Sequence, residues 1–320
     1  MNLSDIYEPI EDDLEKVEQS LEAVAHVDVP LLGQLLGYAL TGGGKRIRPA
    51  LALLCGKFHL YDPALLVPMA TAVELLHTAT LVHDDIVDHS PIRRGKPTVS
   101  SAWGENRALL LGDYLFAKAA SVAASTGNLR VIELFAQALM TISGGEVRQT
   151  SIAFDLKQAR DYYYQWISAK TACLFSLATE SGAILSQSPE NVVEATKDYG
   201  HNLGMAFQIL DDVLDFVGEE AEVGKPVGSD LGEGTVTLPS ILFAESHPED
   251  NLIKSVIEDK DAESVAIAVE KIRNSPVIGE CLAIAADFSS RACRAVEKLP
   301  DNSSRQALLH LATYIIQRRK

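Results

Sequence analysis

Cations are scarce in this sequence: 28 lysines and arginines stand against 44 aspartates and glutamates, a formal net charge of −16. A nucleic-acid binder needs a cationic surface to displace counterions from phosphates, so that class is excluded. A small anionic substrate needs only a local cluster of basic side chains, and the question becomes where the few cations gather. Cysteine is equally sparse. Cys55, Cys173, Cys281 and Cys293 stand singly in apolar surroundings without CxxC spacing, the pattern of buried, reduced thiols in a cytoplasmic chain rather than of a disulfide or zinc framework. The acidic stretch Met1–Gln19 lacks the basic start and apolar core of an export signal. The most apolar run, Pro63 to Val82, contains Glu74 and His77 and leads into acidic residues, which predicts a buried core helix and at most peripheral membrane contact. There is no GxxxxGK[ST] loop, so a nucleoside triphosphate is disfavoured.

Alternating β-branched runs are also nearly missing, whereas apolar residues recur at three- and four-residue spacing with abundant Ala and Leu. The chain is therefore predicted to be all-α, with roughly ten or more helices. Breaks fall at Thr41–Gly44, His89–Pro91, Arg94–Pro97, Ser125–Asn128, Ser186–Pro189, Gly218–Gly234 and Ser246–Pro248. None reads as a domain linker, so residues 1–320 are expected to form one helical domain. The charged segment Glu249–Arg273 is expected to be a peripheral helix pair.

Two Asp-rich motifs stand out, Asp84-Asp85-Ile86-Val87-Asp88 and Asp211-Asp212-Val213-Leu214-Asp215, each at the end of an apolar helical run. Asp84 and Asp88 are four apart, hence on one helical face, with Asp85 offset by about 100°. Gln208, Asp211 and Asp215 share a face in the second motif. Carboxylates stacked at this spacing repel unless a cation neutralises them. Hard oxygen donors suit magnesium, which keeps several waters and is commonly shared with substrate phosphates. A single motif could equally be a solvated acidic helix end, but the second copy makes that reading much weaker.

The basic residues gather beside these motifs. Gly42-Gly43-Gly44-Lys45-Arg46-Ile47-Arg48-Pro49 joins a Gly-rich loop to three cations, and Arg93-Arg94-Gly95-Lys96-Pro97 follows the first Asp motif. Arg grips phosphate oxygens with a planar fork and Lys adds a point charge, so both clusters have the make-up of oxyanion clamps. His77 lies seven residues before Asp84, on the same helical face.

Taken in order, GGGKRIRP, ELLHTATLVHDDIVDHSPIRRGKPT, GDYLFAKA, Lys170-Thr171-Ala172, FQILDDVLDF and GKPVGSD resemble the trans-polyprenyl diphosphate synthases over nearly the whole chain, particularly bacterial long-chain members of the octaprenyl type. The resemblance implies a single-domain helical bundle of the isoprenoid synthase type, a homodimer, and Mg2+-dependent condensation of isopentenyl diphosphate with an allylic prenyl diphosphate, farnesyl or geranylgeranyl. Lys45, Arg48, His77 and Arg94 would bind the isopentenyl diphosphate. Asp84, Asp88 and Asp211 would ligate magnesium on the allylic diphosphate, with Asp85, Asp212 and Asp215 ligating or supporting. Arg93, Lys170 and Lys225 would grip that same diphosphate, and Thr171 with Gln208 would face the reacting carbons.

The sequence departs from the family pattern at Thr235, where a lysine is usual, which leaves one allylic clamp missing. Product length is expected to depend on Leu76, Ala79 and Thr80 upstream of the first motif, with Phe135 and Leu139 deeper. Short-chain relatives typically carry an aromatic at the position of Ala79. The basic tail Gln317–Lys320 fits a helix C-terminus better than a lid. Competing readings are a geranylgeranyl diphosphate synthase, a class I terpene cyclase and a regulatory subunit of a heteromeric synthase.

Overall fold

The computed structural model describes residues 2–41, 43–151, 159–218, 227–259 and 262–317. The helices are α1 (Leu3–Tyr7), α2 (Glu11–Val24), α3 (Pro30–Leu40), α4 (Ile47–Gly56) and α5 (Pro63–Val87), followed by α6 (Val99–Trp103), α7 (Glu105–Ala124) and α8 (Leu129–Ser151). Then come α9 (Ala159–Ile167), α10 (Cys173–Leu185), α11 (Glu190–Val217), α12 (Ser229–Gly232), α13 (Leu238–Ser246), α14 (Leu252–Asp259), α15 (Ala262–Arg273), α16 (Val277–Val296) and α17 (Ser303–Gln317). Among the described residues the only sheet is a two-stranded hairpin, β1 (Ile92–Arg93) with β2 (Lys96–Pro97). The expected all-α class holds, and the breaks read from the sequence fall between helices or at their ends, except that Gly218–Gly234 encloses the short helix α12 and includes residues 219–226, which lie outside the described residues.

Two long helices organise the bundle. Asp62 caps the start of α5 by accepting a hydrogen bond from the Ala64 amide at 2.9 Å, and Pro63 supplies a pre-set φ at the first helical position. α5 then packs against α2, α4, α7 and α10. It is the one helix among the described residues long and apolar enough to cross a membrane by length and composition, and it is mostly buried in the bundle, as expected of a core helix. α11 packs against α10 and α16. Its N-terminal half, with Val192, Tyr199 and Leu203, belongs to the core cluster built around α4, α5, α7 and α10. Its C-terminal half, with Met205, Ile209, Val213 and Phe216, belongs to a second cluster made with α9, α13, α14, α15 and α16. The expected peripheral pair is α14 and α15, whose Ile253, Val256, Ala268 and Ile272 complete that second cluster.

Between α9 and α10 the residues Ser168–Ala172 form a π-helical turn, an interruption of the kind often found where a helix must present side chains to a site. α11 comes very close to it. A Cβ on Gly204 would lie 2.6 Å from Ala172 Cα, so only glycine allows this approach. The approach sets Gln208 opposite Thr171, at a hydrogen-bonded distance of 2.6 Å. The hairpin after α5 turns through Arg94 and Gly95, both at positive φ (52° and 73°), as a two-residue loop matched to strand twist requires.

Candidate active site

The site forms where the C-terminal ends of α5 and α11 meet. Asp84 and Asp88 close the last turn of α5, and Asp211, Asp212 and Asp215 lie in the last turns of α11, with no basic residue in the last turn of either helix. This is the end of a helix where the macrodipole is negative and carboxylates are disfavoured. A cavity of about 760 Å³ lies between them, bordered by Asp84, Asp88, Asp211 and Asp212 together with Lys45, Arg48, His77, Arg93, Arg94, Lys170, Thr171 and Gln208. Four of the six predicted carboxylates and six of the predicted cationic or histidine side chains, Lys45, Arg48, His77, Arg93, Arg94 and Lys170, thus border one space. Asp230 on α12 and, just beyond it, Glu233 and Thr235 reach the same cavity.

The carboxylates divide by what they touch. Burial pushes the Asp84 carboxyl up to about 6, with Glu146 and Asp88 adding to the effect and Lys170 and Arg93 opposing it. Asp212 is raised well above the ordinary range by burial and by Asp230, although it accepts hydrogen bonds from Tyr163 Oη (2.6 Å) and Gln208 Nε2 (2.8 Å). Two of the six predicted metal-facing carboxylates lie off this cavity. Asp85 points to the hairpin and pairs with Arg93 Nε at 2.7 Å. It borders a separate, small cavity under that hairpin. Asp215 accepts a hydrogen bond from Ser229 Oγ at 2.9 Å and one from the Asp230 amide. Both therefore brace the walls, Asp85 through the hairpin and Asp215 through the segment after α11.

The cations divide in the same way. Arg46, the middle member of the Gly-rich cluster, has a left-handed backbone (φ 47°) and is engaged by Glu18 and by Glu74, the latter at 2.7 Å. It anchors the loop to α2 and α5. Arg48 stacks over the Phe175 ring at 4.7 Å, and its Nε is buried without a hydrogen-bond partner among the described residues, an orphaned donor that a bound anion would satisfy. Burial lowers its pKa to about 10, so it remains charged at neutral pH. His77 is pushed well below its ordinary value by burial and by Arg48, Arg94 and Arg93, so its imidazole is neutral and can donate from one nitrogen. Arg94 is held against the Gly43 carbonyl, and Lys45 lies over the Tyr314 ring. Lys170 sits between Asp84 (3.6 Å) and Glu146 (3.1 Å), and these carboxylates raise its pKa even though burial opposes the charge.

The remaining predicted residues fall in different places. Lys225 and the tail residues 318–320 lie outside the described residues. Of the five proposed for product length, Thr80 borders the cavity, beside Leu81, Ile142, Leu174 and Phe207. Leu76, Ala79 and Phe135 are buried in the first core cluster, and Leu139 packs against it. Sequence reasoning missed Tyr163, Glu146, Trp166, Asp230 and Glu233. Of these only Asp230 carried a signal, as the last residue of the GKPVGSD motif.

No group of three or more His, Cys, Asp or Glu side chains among the described residues is placed to hold a metal ion on its own. The donor chemistry still fits magnesium. Hard carboxylate oxygens stand on both walls, their mutual repulsion is relieved by a cation, and magnesium characteristically completes its shell with water and substrate phosphate. Asp84, Asp88 and Asp211 are the residues that would hold it.

An all-helical bundle that brings two carboxylate-bearing helix ends and the cations Lys45, Arg48, Arg93, Arg94 and Lys170 to one cavity defines a protein class suited to holding small anionic esters between its helices. The polyprenyl synthetase family model matches residues 29–273. Heptaprenyl diphosphate synthase component 2 of Geobacillus stearothermophilus is 36% identical over 99% of this chain and 99% of its own length. Octaprenyl diphosphate synthase of Escherichia coli is likewise 36% identical, with 99% of each chain covered. The structure of a polyprenyl synthase from Caulobacter crescentus CB15, complexed with calcium and isoprenyl diphosphate, superposes with a TM-score of 0.95 at 35% identity, covering 100% of this chain and 98% of that one. The chain belongs to the polyprenyl synthetase family.

The raised Asp84 carboxyl has a consequence for stability. Between its ordinary value of 3.8 and about 6, the folded protein keeps a proton that the unfolded chain has released, so stability falls as pH rises through that window. Chelator-treated wild-type protein is expected to gain thermal stability on acidification from pH 7 toward 5. Asp84→Asn should be the more stable protein at pH 7 and lose that advantage at lower pH, as followed by melting curves across the range.

Proposed function

We propose that this chain condenses isopentenyl diphosphate with an allylic prenyl diphosphate, farnesyl or geranylgeranyl, to give a longer all-trans polyprenyl diphosphate and free diphosphate, in a magnesium-dependent reaction. The observation that carries the reading is the single cavity in which Asp84, Asp88 and Asp211 face Lys170 while Arg48, Arg94, His77 and Lys45 border the same space. Two diphosphates require two sets of cations, and the site has them.

In this reading the allylic C–O bond breaks to give a resonance-stabilised cation, and the charge left on the departing diphosphate is stabilised by Lys170 and by Arg93, which Asp85 orients. Magnesium, when bound, supplies further positive charge to that leaving group. Lys45, Arg48, Arg94 and neutral His77 hold isopentenyl diphosphate so that its double bond lies against the cation, a gain from proximity. Gln208 is fixed at both ends of its amide, by Thr171 at its oxygen and by Asp212 at its nitrogen, so the pair presents a set polar wall to the reacting carbons. The new C–C bond forms, a proton leaves, and the departing diphosphate is its acceptor.

We further propose a cytoplasmic homodimer. Leu109 and Leu110 on α7 and Met140 and Val147 on α8 are exposed apolar side chains on adjacent packed helices, a surface suited to a second copy. Two similar proteins are named as component 2 of a heptaprenyl diphosphate synthase, which makes a second, unlike subunit the alternative assembly.

Purified protein incubated with isopentenyl and farnesyl diphosphates and magnesium is expected to give elongated products resolved by chain length, and excess chelator should abolish them. No elongation, alone or with candidate partner subunits, would overturn the reading. For product length, Thr80→Phe at the cavity wall and Ala79→Phe one residue behind it are both expected to shorten the product by one or more isoprene units; an unchanged distribution counts against this path for the growing chain. Thr235 borders the same cavity as Lys170, so Thr235→Lys should lower KM for the allylic substrate and leave that for isopentenyl diphosphate unchanged.

A further inference from the structure

Glu146 is the carboxylate nearest to Lys170 that no part of the proposed chemistry uses. α8 reaches the π-helical turn through Gly145, where an added Cβ would lie 2.8 Å from Ala169 Cβ, and this contact sets Glu146 beside the next residue of the turn. The Lys170 ammonium is 3.1 Å from Glu146 Oε1 and 3.6 Å from Asp84 Oδ2, and it lies 5.7 Å from the centre of the Trp166 ring. Glu146 Oε1 is itself buried, and its contact with Lys170 is an ion pair. Both carboxylates are about three-quarters covered, which leaves little water to screen the competition between them.

We propose that Glu146 is a positioning residue that holds Lys170 off Asp84, keeping the first Asp wall open to a cation that arrives with the diphosphate. The proposal rests on the prenyltransferase reading for its consequence in turnover, but its physical core is a competition between two carboxylates for one ammonium. Without Glu146, Lys170 closes on Asp84 and stands where the divalent cation would bind. With Lys170 also gone, the loss of Glu146 no longer matters to the metal. The isopentenyl clamp of Lys45, Arg48 and His77 does not enter.

A double-mutant cycle tests this with a readout independent of turnover. Apparent magnesium affinity is measured by calorimetry in the presence of inorganic pyrophosphate for wild type, Glu146→Gln, Lys170→Met and the double variant, with circular dichroism confirming that each is folded. Glu146→Gln is expected to weaken magnesium binding about five-fold in the Lys170 background, a coupling typical of contacting charged groups, and to have no effect in the Lys170→Met background. Glu146→Asp, which keeps the charge, should restore most of the affinity. In turnover, Glu146→Gln should raise the magnesium requirement and leave KM for isopentenyl diphosphate unchanged. Equal weakening in both backgrounds would make Glu146 a metal ligand and overturn the proposal, as would unchanged affinity in Glu146→Gln. If no elongation is detected in any variant the function assignment fails, whereas the calorimetric cycle still decides the role of Glu146.

Discussion

The C-terminal ends of α5 and α11 carry Asp84, Asp88, Asp211 and Asp212 to the border of one cavity, and like charges so placed cannot simply be packed together. The helix dipoles make matters worse, since both ends are already negative and neither has a basic residue in its last turn. Much of the surrounding architecture can be understood as managing this repulsion. Lys170 sits between Asp84 and the nearer Glu146, Arg93 is paired with Asp85, and Asp212 is raised and held by Tyr163 and Gln208. A functional site that stores unfavourable electrostatics in this way gives up stability, which the proposed cation would restore on binding.

The cations obey a complementary logic. A net charge of −16 leaves few to spare, and the fold assigns them separate tasks. Arg46 is consumed in holding the Gly-rich loop to Glu18 and Glu74, which in turn fixes the start of α4 and with it Arg48. Arg48 keeps a buried Nε donor with no partner among the described residues, and a bound anion would offset the cost of placing it there. The hairpin turn at Arg94 and Gly95 has positive φ at both residues and sets one arginine toward Asp85 and the other toward the Gly-rich loop. Loop geometry and charge placement are one problem here.

The helical class and the position of most breaks were legible in the sequence because three- and four-residue apolar spacing is a local property. The two Asp motifs were legible for the same reason: Asp84 and Asp88 share a face by helical spacing alone. What the spacing could not tell was which carboxylates face the cavity. Asp85 and Asp215 are turned to Arg93 and to Ser229 by loops whose path is set by tertiary packing. The three cations of the Gly-rich cluster were also indistinguishable by type, and only the buried Glu74 and the neighbouring Glu18 separate Arg46 from its neighbours. The π-helical turn at Ser168–Ala172 and the pairing of Tyr163 with Asp212 join residues through contacts that no local pattern encodes. Glu146, which follows a glycine pair on α8, belongs to no motif that singles it out in the sequence.

The central claim is that the two Asp walls are incomplete without a diphosphate, because among the described residues no three donors of one wall can hold an ion alone. Titration of inorganic pyrophosphate into the protein by calorimetry, with and without magnesium, tests it most directly. The account predicts binding about ten-fold or more tighter with magnesium, a coupling of ordinary allosteric size, and loss of that enhancement in Asp84→Asn and Asp211→Asn. Equal affinity with and without magnesium, or an enhancement that survives both substitutions, would contradict it.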